Sequence, residues 1–128
     1  MTEFVKLVFD EKLGHYLYKG APYSSNIGME ILGVFLAYDA VSGGVSFKKW
    51  ALNEAETITG SNATNLEKKN KCVLLSDIYS VEKKPTKLKI PLDQFVYLLD
   101  HWNALCSTKP KEVVIKYENG QFVIETSN

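Results

Sequence analysis

The dipeptide Asn119-Gly120 stands between two segments, residues 112–117 and 121–125, in which apolar and polar residues alternate. No other feature so narrows what this chain folds into. A two-residue hairpin loop needs positive φ at both positions, and Asn-Gly meets that need with little strain. Such a loop sets Tyr117 opposite Phe122 and Ile115 opposite Ile124, with Lys116 and Glu118 on the other face. A slip of one residue would turn the apolar set outward, so the register is specified.

Upstream of this hairpin the apolar period lengthens. Leu92, Phe95, Leu99, Trp102 and Cys106 recur at three- and four-residue steps and define one buried stripe of a helix over about residues 91–106. Pro91 suits the first helical position, where a missing N–H costs nothing. Asp93 follows in the first turn, where the helix dipole favours an anion. Pro110 requires the helix to stop before it. The alternating Lys87-Leu88-Lys89-Ile90 reads as a strand leading into it.

The remainder is less regular. Residues 3–9 read as an opening strand, 10–14 as a turn, 15–18 as a returning strand and 20–26 as a loop. Residues 27–38 form a near-continuous apolar run that fits either a buried strand or a buried helix. Gly28 and Gly33 weaken a helix, which favours the strand reading. After a break at 42–44, Ser46 can cap a short helix with Phe47, Trp50 and Ala51 on one face. Residues 60–62 read as a turn and 82–85 as an exposed loop. A hairpin spans 63–79, with arms 65–68 and 72–79 and 69–71 as its turn. The expected fold class is α+β: a mainly antiparallel sheet packed against one long helix, in a single domain over residues 1–128. A chain of 128 residues is long enough for a core without metal or disulfide staples.

Charge excludes some partners. The 15 cationic residues are all lysine and balance 15 acidic ones, so the net charge is zero. Without arginine or a basic stripe, direct nucleic-acid binding is not expected. Residues 31–38, the longest apolar stretch, fall far short of the roughly 20 a membrane-spanning helix needs. Residues 1–6 do not form a basic lead into an apolar run, so the expected compartment is the cytoplasm and no membrane is involved. There Cys72 and Cys106 are expected as reduced, buried thiols. In that compartment the Asn62-Ala63-Thr64 glycosylation match carries no meaning.

No residue pattern announces chemistry. His15 lies beside a turn and His101 on the helix, and either can be a general base, but neither has a partnered nucleophile in sequence. Cys106 is five positions from His101, so the two do not stack on one helical face. The Cys and His residues are too dispersed for a metal site, and Ser42-Gly43-Gly44 lacks the continuation of a phosphate loop. No cofactor, metal or catalytic residue is therefore expected. Two neighbourhoods mix acids with aromatics: Trp50 with Glu54 and Glu56, and Tyr79 with Asp77 and Glu82. These six residues suit contact with another protein better than catalysis, the plain alternative being a solvated surface.

The C-terminal half also carries a resemblance. It runs through residues 61–69, Cys72-Val73-Leu74-Leu75-Ser76-Asp77-Ile78-Tyr79, residues 85–90, residues 94–102 with Trp102, and residues 109–115. This succession of strand, Trp-bearing helix and hairpin resembles the small immunity proteins encoded beside bacterial polymorphic toxins, including contact-dependent growth inhibition systems. The similarity spans roughly residues 61–126. It implies a cytoplasmic antitoxin, not an enzyme, that binds a cognate toxin domain, often a nuclease, and blocks it by steric occlusion. The other readings are a small enzyme using His15 or His101, or a structural or oligomerisation domain.

Overall fold

A computed structural model describes residues 2–60, 63–79 and 86–128. The expected loop at 82–85, including Glu82, lies outside the described residues, as do Ser61 and Asn62 of the expected turn. The C-terminal hairpin is the one its turn dictates. Strands β7 (Glu112–Glu118) and β8 (Gln121–Ser127) pair antiparallel, with Tyr117 opposite Phe122 and Ile115 opposite Ile124. Asn119 and Gly120 both take positive φ, 52° and 76°. Strand β1 (Glu3–Asp10) pairs with β7, setting Val5 opposite Ile115, and on its other side with β2 (His15–Leu17). This gives a four-stranded antiparallel sheet in the order β2-β1-β7-β8.

The other strands form a second antiparallel sheet, in the order β3-β4-β5-β6, so the α+β fold has two sheets among its described residues. Its centre is the expected hairpin, β4 (Thr64–Lys69) and β5 (Cys72–Asp77). Asn70 and Lys71 form its turn at φ 52° and 60°, a two-residue loop in place of the expected three. Strand β6 (Lys87–Pro91) adds to one edge. The short β3 (Ile58–Gly60) adds to the other, including a glycine that sequence assigns to a turn.

Residues 27–38 are helical, not a strand. Helix α1 (Ile27–Val34) continues into a π-helical turn at Phe35–Asp39. Its start is fixed by Asn26, whose side-chain oxygen accepts from Met29 N at 2.9 Å. The periodicity is mute because the segment is buried on most sides: Met29, Ile31, Leu32, Phe35, Leu36 and Ala37 are all core residues. Helix α2 (Val45–Leu52) buries Phe47, Trp50 and Ala51 as expected, but Gly44 caps it, not Ser46. Gly44 is left-handed at φ 75°, and a Cβ there would stand 2.9 Å from Leu99 Cδ2.

The long helix α3 (Leu92–Thr108) runs two residues beyond the expected end and closes at Lys109, itself left-handed at φ 55°. Pro91 ends β6 in extended geometry and stands just outside the helix, one position earlier than expected. Phe95, Leu99 and Trp102 are buried, with Leu98 added; Leu92 and Cys106 are half-buried. Helix α3 joins the two sheets in sequence, and its apolar face joins them in space. Val5, Leu7, Val113 and Ile115 of the first sheet and Leu66, Val73, Leu75 and Ile90 of the second belong to one buried cluster with it.

Burial also sets how the fold responds to alkali. Tyr16, 2% exposed, donates its hydroxyl to Pro110 O, and burial pushes its pKa up to about 12. Burial likewise pushes the Cys106 thiol up to about 11. Both groups are neutral when protonated, so the folded state holds these protons to higher pH than the unfolded chain. Their contribution is full below the ordinary thiol value of 9.0 and is lost as pH rises through 11 and 12. Urea midpoints measured across this range are expected to hold steady up to about pH 9 and fall steeply above it. Tyr16→Phe should flatten the upper part of that fall; a midpoint that is flat to pH 12 in the parent would contradict the assignment.

Candidate interaction surface

Two hollows open among the described residues. The first, about 390 Å³, is walled by Ile27, Glu30, Ile31 and Val34 of α1 and by Ala63, Thr64, Asp77, Tyr79 and Thr86. Its α1 wall exists because residues 27, 30, 31 and 34 share one helical face, opposite the face that packs on β1. Tyr38, 48% exposed, follows on that face at the next four-residue step. The second hollow, about 500 Å³, is bounded by Asp39 and by Phe47, Trp50, Asn53 and Glu56 in and after α2, among others. A hydrogen bond links a lining residue of each: Ala63 N, on the first, donates to Asp39 Oδ1, on the second, at 3.1 Å.

The surface here is unusually apolar for an outer face. Ile27 is 56% exposed and Tyr79 74%, and Ile78 between Asp77 and Tyr79 is also exposed. Apolar patches rimmed by polar groups mark interaction sites more often than bare solvent faces. Among the described residues, three buried side-chain polar atoms lack a hydrogen-bond partner: Asp39 Oδ2, Trp50 Nε1 and Thr64 Oγ1. All three residues line one hollow or the other. Unpaired buried polar groups are uncommon and costly, so they single out the two hollows they line.

Of the six residues singled out by sequence, the structure brings together Asp77 and Tyr79 on the first hollow and Trp50 and Glu56 on the second. Tyr79 N donates to Asp77 Oδ1 at 2.8 Å, a local turn that fixes both at the end of β5. Trp50 is a core residue, 5% exposed, edge-on to Phe95. Lys68 Nζ lies 4.8 Å from the centre of its ring and donates to Trp50 O at 2.7 Å and Asn53 O at 2.5 Å, closing the C-terminal end of α2. Glu56 lines the second hollow and accepts from Asn53 Nδ2, while Glu54 is exposed in the segment after α2. Glu82 lies outside the described residues. Sequence reasoning missed Ile27, Glu30, Asp39 and Thr64. The Asn26 cap was the signal that would have placed the first two on a helix.

The histidines stand apart from both hollows. His15 Nδ1 donates to Tyr16 O and His101 Nδ1 to Tyr97 O, each at 3.0 Å, which fixes the proton on Nδ1 because a carbonyl can only accept. The His101 ring also lies against Tyr97, tilted by 41° with 4.2 Å between ring centres. Cys72 and Cys106 are separate, half-buried thiols. Among the described residues no three His, Cys, Asp or Glu side chains gather as metal ligands. No described helix is long and apolar enough to cross a membrane. No family model, curated protein or solved structure matches the chain.

Proposed function

We propose that this protein is an immunity protein: it binds a toxin domain encoded beside it and blocks that domain by occlusion, with the α1 hollow at the centre of the contact. The observation that carries the reading is the pairing, in one hollow, of exposed Ile27 and Tyr79 with the buried, unpaired hydroxyl of Thr64. An interface of standard size covers roughly 800 Å² on each partner. That is about a tenth of the 7570 Å² accessible here. The resemblance over residues 61–126 supplies the kind of partner, and Asp77 and Tyr79 fall within it. The proposed target is a nuclease domain in the cytoplasm.

Co-expression tests this. Cells carrying the neighbouring toxin gene are expected to survive with the parent protein. Ile27→Asp combined with Tyr79→Ala should abolish protection, since both side chains are exposed and their loss leaves the core intact. The combination His15→Gln with His101→Gln should protect fully. A folded double-histidine variant that fails to protect would point to an enzyme instead. An Ile27→Asp/Tyr79→Ala variant that still protects would move the contact elsewhere.

A further inference from the structure

We infer that the group seated in the α1 hollow is the long aliphatic cation of a partner's lysine or arginine side chain; this rests on the partner-binding reading above. Three observations on the hollow point the same way. The charged residues among its described walls, Glu30 and Asp77, are both acidic, and no lysine is among them. Among the described residues neither carboxylate has an ion-pair partner, whereas Glu67, Asp100, Glu112 and Glu125 are each held by a lysine. The rest of the wall on α1 is aliphatic: Ile27, Ile31 and Val34.

Lysine and arginine bury their methylene stems along apolar surface while the charged head reaches a polar rim. The hollow offers both parts. Its aliphatic wall takes the stem, and the two carboxylates, neither held by a lysine among the described residues, take the head. Thr64, 1% exposed yet lining the hollow, carries a hydroxyl with no partner, which adds an acceptor to its walls. A neutral group would leave both negative charges unbalanced, and an anion there would be repelled by both. A cation desolvated beside two carboxylates gains the pairing that makes its burial tolerable.

The whole protein can be titrated with small probes while backbone amide resonances are followed. The probes are n-butylammonium and n-butylguanidinium as cations, 1-butanol as the neutral match and butanoate as the anion. Saturable shifts confined to Glu30, Thr64 and Asp77 are expected with both cations, weaker ones with butanol and none with butanoate. The combination Glu30→Gln with Asp77→Asn should weaken the cations about tenfold. Asp77→Asn keeps a side-chain oxygen able to accept from Tyr79 N, so the turn survives. High salt should reduce binding of the parent and leave the variant unchanged. Equal binding of butanol or butanoate, or no saturable shift with either cation, overturns the inference. If the cations bind but co-expression gives no protection, the function is wrong and the hollow's chemistry stands. If protection holds without cation binding, the reverse applies.

Discussion

Trp102→Ala is expected to lower the unfolding free energy by about 3–5 kcal/mol, a large part of the roughly 5–15 kcal/mol that holds a domain of this kind together. Trp102 is 1% exposed, lies with its ring 5.2 Å from Tyr16, and belongs to the cluster shared by both sheets. Truncating it opens a cavity where α3 meets the segment after α1. It also removes a hydrogen bond, because the indole N–H donates to Ala40 O at 2.8 Å. Trp102→Phe separates the two effects. It keeps much of the apolar volume but removes one of two bonds to Ala40 O, which still accepts from Gly43 N at 3.0 Å, at a cost of about 0.5–1.5 kcal/mol. Urea unfolding should therefore rank parent above Trp102→Phe above Trp102→Ala. A Trp102→Phe variant as stable as the parent would show that the bond to Ala40 contributes nothing net.

Gly33→Ala is expected to destabilise the fold although the residue is helical, where alanine ordinarily gains about 1 kcal/mol over glycine. A Cβ at residue 33 would stand 2.7 Å from Val5 Cγ2 and 2.9 Å from Tyr18 Cδ1. Val5 is fully buried and Tyr18 nearly so, leaving neither much room to retreat. Overpacking of this kind costs about 1–3 kcal/mol, which outweighs the helical gain, and Gly33→Val should cost more. Gly28→Ala is the control on the same helix. Its nearest contact would be Leu88 Cδ1 at 3.3 Å, a flexible side-chain end, so the change should be close to neutral. Thermal melts of the three variants decide the matter; a higher melting temperature for Gly33→Ala would mean that α1 is not pressed against β1.

The same glycine shows how a correct local rule can mislead. Gly33 lowers helix propensity, and with Gly28 it favoured reading residues 27–38 as a strand. In the structure a Cβ on Gly33 would crowd Val5 of β1 and Tyr18, and close approach is why a residue without a side chain sits there. Propensity is a matter of about 1 kcal/mol, and burial of the surrounding apolar run is worth several times that. Trp50 misled in a related way. Its neighbours Glu54 and Glu56 suggested a surface anchor, but α2 turns the indole inward onto Phe95 and leaves the acids outside.

The Asn119-Gly120 hairpin, its register, the stripe of α3 around Trp102 and the β4–β5 pairing were determined by the sequence itself. Each is set by contacts close along the chain: a turn that demands particular backbone angles, or a period that puts apolar residues on one face. Only the tertiary structure decided that residues 27–39 are helical, that the strands divide between two sheets, and that Asp77 and Tyr79 face Ile27 and Glu30 across a hollow. A segment buried on most sides shows no period, so its conformation is chosen by what packs around it. The hollow joins residues 27 and 79, and nothing local to either one records that the other is near.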